Sequence, residues 1–201
     1  GYITFERWNN ISGNTIPALT GNPNYPDNPS SSTTRTLFEI PTNVANNYGV
    51  RVSGYLCAPL SGYYRFWIAG DDNVELWLST DDSESSKVKI AYHNGYTRPR
   101  QWTKYSTQRS AYIYLTQGTS YYIEALMKHG YGEDNLAVGW LKPGQSGTKP
   151  SQVIPGSVLS PREDLSGMIV SIADPMLRDH AGQGAFHVYP NPTTGLVTLS
   201  A

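Results

Sequence analysis

An all-β chain folded as an antiparallel β-sandwich is the architecture this sequence predicts, and three observations predict it. Short runs with period-two alternation of apolar and polar residues recur over residues 1–160. No segment carries an apolar stripe at helical period across three turns. Turn formers are dense, with 19 Gly and 14 Pro in 201 residues, so the strands must be short and frequently reversed.

The elements follow in order. Tyr2–Trp8 opens as a strand. Thr20–Thr34, rich in Asn, Pro and Ser, is expected to run over the surface as a loop, and Thr36–Ile40 to form the next strand. Gly49–Ala58 and Tyr63–Ala69 follow, the latter with Tyr64, Phe66 and Ile68 on one face. Val74–Ser79 and Lys87–Tyr92 flank a polar hairpin tip, Asp81–Ser86. His93–Thr107 is long and carries Tyr96, Arg98, Arg100, Trp102, Lys104 and Tyr105, which reads as a functional loop rather than a mere connection. Ser110–Thr116 puts Ala111, Ile113 and Leu115 on one face and Tyr112 and Tyr114 on the other. Tyr121–Lys128 and Asn135–Leu141 complete the set. After Leu159-Ser160-Pro161 the periodicity stops: residues 161–185 read as a linker, and 186–201 change character again.

Composition bounds the function. Charged residues are 15% and the net charge is -1, against roughly 25% charged in ordinary globular chains. Nucleic acid is excluded as a partner, because its binding rests on a Lys/Arg patch. With 15 Tyr and 5 Trp, the profile suits an exported protein that meets ligands through Tyr, Trp and Asn. The one cysteine, Cys57, allows no intrachain disulfide and reads as a small buried apolar residue. No run reaches the roughly 20 apolar residues that span a membrane, so no membrane insertion is expected. The chain opens directly into strand-like Tyr2-Ile3-Thr4-Phe5, as an excised piece of a longer protein would. Phosphate-loop, zinc-spacing and nucleophile-elbow motifs do not occur.

Asp71-Asp72 carries the most chemistry. Two adjacent carboxylates sit between the apolar runs Phe66–Ala69 and Val74–Leu78. Such a pair repels itself unless donors or a cation hold it, and a hard metal ion is the usual holder at a sandwich rim. Neighbours on an extended strand point to opposite faces, so convergence needs a distorted backbone. The competing reading is a solvated turn with Asn73. Asp81-Asp82, followed by Ser83-Glu84-Ser85-Ser86, is the control: with no apolar scaffold around it, it reads as a solvated turn. Trp102, Tyr96 and Tyr131 are candidates for stacking on sugar rings; Trp77 reads as cover for a sheet face, and Trp67 and Trp140 as packing. Glu124 reads as a satisfied carboxylate inside an apolar run, His93 and His129 as loop residues with a place facing the ligand as the alternative, and Arg98 and Arg100 as solvated cations with bidentate binding of a carboxylated sugar as the alternative. No pair of carboxylates other than Asp71-Asp72 suggests glycoside hydrolysis.

Several ordered motifs resemble the protective-antigen-like ("PA-fourteen") domain family over most of residues 1–160. They are Gly49-Val50-Arg51-Val52-Ser53-Gly54-Tyr55, Ala58-Pro59-Leu60-Ser61-Gly62-Tyr63-Tyr64-Arg65-Phe66, Gly70-Asp71-Asp72, Leu76-Trp77-Leu78, Leu115-Thr116-Gln117-Gly118, Tyr121-Tyr122-Ile123-Glu124-Ala125, Asn135-Leu136-Ala137-Val138-Gly139-Trp140 and Val153-Ile154-Pro155-Gly156. The resemblance implies a twisted β-sandwich. It further implies, from the lectin-like members, that Asp71 and Asp72 are joined by a cis peptide and bind Ca2+, and that the ion binds sugar hydroxyls. The loop His129–Asn135 stands where such members supply further ligands. Asp134 is the side-chain candidate there and Gly132 could offer its carbonyl, while Glu133 and Asn135 remain open as ligand-binding residues. Asn73 departs from the Gly usual after the pair. Separately, Val188–Val197 resembles the opening of the C-terminal sorting domain of the Bacteroidetes type IX secretion system, and only that opening is present.

The expected function is a calcium-dependent carbohydrate-binding module, monomeric, within a larger secreted or cell-surface protein, with a polysaccharide or other carbohydrate as partner. A structural or adhesive spacer without sugar binding is the alternative. An enzyme has the least support, although the parent protein could act on polysaccharide.

Overall fold

The computed structural model describes residues 1–162 and, further along, the backbone of two paired strands, His187–Pro190 and Val197–Ser200. Contacts divide the chain into Gly1–Glu163 and Asp164–Ala201. The expected linker beyond residue 162 lies outside the described residues, as does most of the tail read as a sorting domain.

In the first unit the strands are β1 (Ile3–Trp8), β2 (Ser31–Arg35), β3 (Tyr48–Cys57), β4 (Gly62–Asp71), β5 (Asn73–Ser79) and β6 (Lys87–His93). They continue with β7 (Ile113–Leu115), β8 (Ser120–His129), β9 (Asn135–Leu141), β10 (Gln152–Val153) and β11 (Leu159–Pro161). All pair antiparallel, in one sheet of order β2-β1-β3-β8-β5-β6, with β11 added to β3, and a second of order β10-β9-β4-β7. The alternation that predicted the strands becomes the packing between the sheets. Val50, Val52 and Leu56 of β3, Leu76 and Leu78 of β5, and Ile123, Ala125 and Met127 of β8 meet Tyr64, Phe66 and Ile68 of β4 and Val138 and Trp140 of β9. Trp67 and Trp140 are buried, as packing residues should be.

The outer face of β4 departs from simple alternation. Tyr63 is exposed, yet Trp67 and Ala69 are fully buried. The segment after the long loop covers them: Arg109 bridges Trp67, Ser110 N donates to the Phe66 carbonyl, and the Gln108 amide donates to the Ile68 carbonyl. That use of Ser110 explains why only Ile113–Leu115 of the expected Ser110–Thr116 is a strand.

Other expectations are corrected. Thr20–Thr34 is not one loop: a short helix α1, Ile16–Thr20, ends there and β2 begins at Ser31. The helix buries Ile16 and Leu19, and Leu19 joins Trp8 and Ile11 in a small satellite cluster. Gly49 permits this, since a Cβ there would lie 2.4 Å from Leu19 Cδ1. Thr36–Ile40 makes only isolated bridges, Leu37 to Pro155 and Glu39 to Ala137, while Phe38 and Ile40 still fill the core. Cys57 is exposed, because it falls on the face opposite buried Leu56 at the end of β3. His93 and His129 are not loop residues; they end β6 and β8 and are buried.

Candidate metal and ligand site

The reversal between β4 and β5 places Asp71 and Asp72 at one end of the sandwich, and their peptide bond is cis. Asp71 is the register partner of Asn135, which begins β9. Gly70, just before the pair, allows close approach: a Cβ there would lie 3.1 Å from the Asn135 carbonyl and 2.3 Å from a Val74 methyl. Asn73 departs from the usual glycine with a role of its own, since its Oδ1 accepts from Gly95 N at 2.7 Å.

The third element of the centre is His129. Its Nδ1 lies 3.6 Å from Asp71 Oδ1 and 3.6 Å from Asp72 Oδ2. The three residues offer ligand atoms all within 4.8 Å of one another. The imidazole is 0% exposed, against 15% and 20% for the two carboxylates. Neither ring nitrogen has a hydrogen-bond partner. The sequence favours a plain loop residue at His129 over a ligand, because the last residue of a strand shows no pattern of its own. The signal available was its place directly before the loop His129–Asn135.

Around this group the backbone is fixed. Gly130 N donates to Asp72 Oδ2 at 2.9 Å. Lys128, fully buried, donates to the carbonyls of Gly13 and His129. Burial pushes the Lys128 ammonium down to about 8, against the upward pull of Asp72. Burial, and next the charge of Asp72, push the Asp71 carboxyl up to about 6, with His129 acting in the opposite direction. A carboxylate whose charged form is disfavoured in this way gains from a cation.

Asp134 and Asn135 face different demands. Asp134 Oδ2 accepts from Val44 N at 2.6 Å and Ala45 N at 3.1 Å, so this oxygen fastens the 43–47 segment to the loop. Its Oδ1 is buried without a partner, and Asp134 stands outside the group formed by Asp71, Asp72 and His129. Asn135 donates through Nδ2 to the Thr97 carbonyl at 2.8 Å, leaving Oδ1 buried without a partner. Gly132 has φ +108 and its N–H donates to Asn46 Oδ1. Tyr131 is 77% exposed and Tyr96 is 57% exposed; Glu133 is exposed and Trp102 half-buried. Lys104 Nζ sits 3.3 Å from the centre of the Tyr96 ring.

Two further carboxylate sites match the sequence reading. Asp81 closes a turn by accepting from Ser83 N and the Ser86 hydroxyl. Glu124 is satisfied by Lys87 Nζ at 3.0 and 3.1 Å and by the Tyr122 hydroxyl at 2.7 Å. Trp77, half-buried, lies on the outer sheet face and donates to Glu75 Oε2.

The donor set fits a divalent cation. Buried polar atoms are normally paired, and here an amide oxygen of Asn135 and both imidazole nitrogens of His129 are left without partners near one turn. Residues 8–153 match the sequence profile of the PA14 domain. The chain is 33% identical over 141 residues to mouse N-acetyl-beta-glucosaminyl-glycoprotein 4-beta-N-acetylgalactosaminyltransferase 1, which covers 68% of this chain and 13% of that protein. It is 40% identical over 83 residues to mouse Fibrocystin-L, covering 41% of this chain and 2% of Fibrocystin-L. The chain therefore spans a small part of these relatives. Among solved structures it is similar to a PA14 sugar-binding domain from an RTX adhesin, with TM-score 0.59 and 11% identity over 80% of this chain and 98% of that one. It is also similar to the PA14 domain of the MpAFP antifreeze protein, with TM-score 0.59 and 13% identity over 81% and 94%. The epithelial adhesin 9 A domain of Candida glabrata, in complex with Galb1-4GlcNAc, gives TM-score 0.53 and 16% identity over 73% and 84%. At these identities the structural likeness shows the fold.

Proposed function

The chain belongs to the PA14 domain family, and from that premise we propose that residues 1–160 form a calcium-dependent carbohydrate-binding module of a larger secreted or cell-surface protein. The observation that carries this reading is the convergence of Asp71 and Asp72 on one end of the sandwich, beside loops that hold exposed tyrosines. Two of the similar structures support it: one is a sugar-binding domain from an adhesin, the other an adhesin domain in complex with Galb1-4GlcNAc.

Asp71 and Asp72 would hold the ion through their carboxylates, with Asn135 Oδ1 and the Gly132 carbonyl as further oxygen ligands, and Asp134 joining if the loop after β8 closes on the ion. When bound, Ca2+ supplies open coordination positions for neutral oxygens such as vicinal sugar hydroxyls. Tyr96, Tyr131 and Trp102 would stack against the apolar faces of a ring, and Glu133 would accept from its hydroxyls. Gly130 and Lys128 orient Asp72 and the neighbouring carbonyls, which fixes the site before ligand arrives. This is binding without turnover, and the module acts as a single copy that tethers its parent to glycan. Residues 161–185 would then be a linker, and 186–201 the start of a type IX sorting domain that directs export.

The test is glycan-array screening followed by calorimetry with calcium and with a chelator. Binding in calcium that is lost in chelator, and lost in the Asp71→Ala/Asp72→Ala protein, is the expected result. Binding unchanged by both treatments would sink the cation-bridged mechanism. No binding to any glycan in calcium would favour a spacer role.

A further inference from the structure

We propose that the Asp71–Asp72 centre takes a first-row transition ion of the Mn2+, Co2+ and Zn2+ class in preference to Ca2+, with His129 as its imidazole ligand. This rests on the proposed reading of the centre as a cation site that Ca2+ can fill, and it names the class of ion that the same ligands bind more tightly. The argument begins with the donor atoms. Calcium takes oxygen ligands almost exclusively, whereas imidazole nitrogen suits zinc and its neighbours in the first row. Here a nitrogen, His129 Nδ1, is equidistant from the two carboxylates, at 3.6 Å from each. An ion with bonds of about 2.1 Å spaces adjacent tetrahedral ligands by about 3.4 Å, so each of the two nitrogen–oxygen separations is within a few tenths of an ångström of that spacing.

The state of the imidazole points the same way. It is fully buried, and neither nitrogen has a hydrogen-bond partner. A buried polar group left in that state is costly, and ligation of Nδ1 would satisfy one of the two nitrogens. The ring is held rather than free: the edge of Tyr48 packs at a centroid distance of 5.7 Å and 62°. The neighbouring ammonium does not compete for it, because Lys128 donates to the backbone carbonyl of His129 and not to the ring. Among the described residues, no other group of three or more His, Cys, Asp and Glu side chains brings its ligand atoms this close.

Calorimetric titration of the full chain with Mn2+, Co2+, Zn2+ and Ca2+, paired with visible absorption for Co2+, tests the assignment. Co2+ and Zn2+ should bind the wild-type protein about tenfold or more tighter than Ca2+, and His129→Gln, which keeps an oxygen at that place, should lose that margin while retaining Ca2+ binding. In the wild-type chain Zn2+ should also shift the ring 15N resonances of one histidine, a readout that needs no variant. Ca2+ binding at least as tightly as Co2+ and Zn2+ in the wild type, or unchanged Co2+ affinity in a folded His129→Gln protein, would overturn the assignment and leave the calcium reading standing. Failure of every divalent ion to bind would overturn both.

Discussion

Gly70 and Thr97 hold each other through reciprocal hydrogen bonds: Gly70 N donates to Thr97 Oγ1 at 2.8 Å, and Thr97 N and Oγ1 donate to the Gly70 carbonyl at 2.8 and 3.0 Å. Gly70 immediately precedes Asp71, and Thr97 immediately follows Tyr96. One buried clamp therefore ties the carboxylate pair to the long aromatic loop, and Asn135 reinforces it by donating to the Thr97 carbonyl. The long loop is thereby anchored at the residue next to its exposed tyrosine.

Replacing Thr97 with Val keeps the side-chain shape but removes its hydroxyl. Gly70 N–H then has no acceptor in a buried place, and the cost should be about 2 kcal/mol. Urea unfolding of Thr97→Val, with Thr97→Ser as the conservative comparison, measures it. The Ser variant should recover most of the loss, and a Val variant as stable as wild type would show that the clamp carries no net free energy.

Lys87 and Glu124 form a pair in which only the lysine reaches solvent, at 25% exposed against 1%. Lys87→Met leaves the Glu124 carboxylate buried with the Tyr122 hydroxyl as its remaining partner among those described. Breaking a buried pair in this one-sided way costs about 3 kcal/mol. Glu124→Gln, which removes the charge while keeping an acceptor, should cost less. Denaturant midpoints of the two variants give the order directly, and the reverse order would contradict it.

His93 sets a second dependence on conditions. Burial holds its imidazole down to about 4, and its ring stacks on Tyr105 at 5.1 Å. The unfolded chain binds this proton near pH 6.5 and the folded one only near 4, so the contribution to stability is complete above about 6.5. It is lost as pH falls from there toward 4, by up to about 3 kcal/mol. His93→Phe keeps the stacking surface and removes the titration. A stability profile over this window should be flatter for the variant, and parallel profiles would refute the assignment.

The difference between what was legible and what was not has a physical basis. Alternating apolar strands such as Tyr63–Ala69 were legible because burial of one face enforces period two. Ser31–Arg35, with sequence Ser-Ser-Thr-Thr-Arg, was not, because this edge strand is held by backbone pairing to β1 and needs no apolar face. Thr36–Ile40 misled for the opposite reason: Phe38 and Ile40 alternate into the core, but the backbone between them makes isolated bridges instead of a ladder. At the site, Asp71-Asp72 stood out as adjacent charges between apolar runs. His129 did not, since its meaning comes from the register that brings the end of β8 beneath the turn after β4. Contacts set by sheet order leave no local trace.

Asp71 should make the protein's stability depend on cation and pH together. In the ion-free protein its carboxyl is raised from 3.8 to about 6, chiefly by burial and then by Asp72. The folded state therefore holds this proton more tightly than the unfolded one, and stability falls as pH rises from about 4 to about 6. This slope opposes that of His93, so the two must be separated by variants. Asp71→Asn removes the ionised form, and at pH 7 without divalent ion it should stabilise the protein by about 1 kcal/mol, a figure reduced for solvent screening of a partly exposed carboxylate. The same change should abolish stabilisation by added cation. Wild type should show the reverse pattern, with a cation-induced rise in melting temperature that is full at pH 7 and shrinks as pH falls through 6, where protons compete for the same oxygens. Thermal melts of both proteins at pH 7 and pH 5, with and without divalent ion, resolve the four cases. An Asp71→Asn protein that is less stable than wild type at pH 7 without ion would show that the pair is already neutralised within the protein, and would remove the electrostatic reason for a cation there.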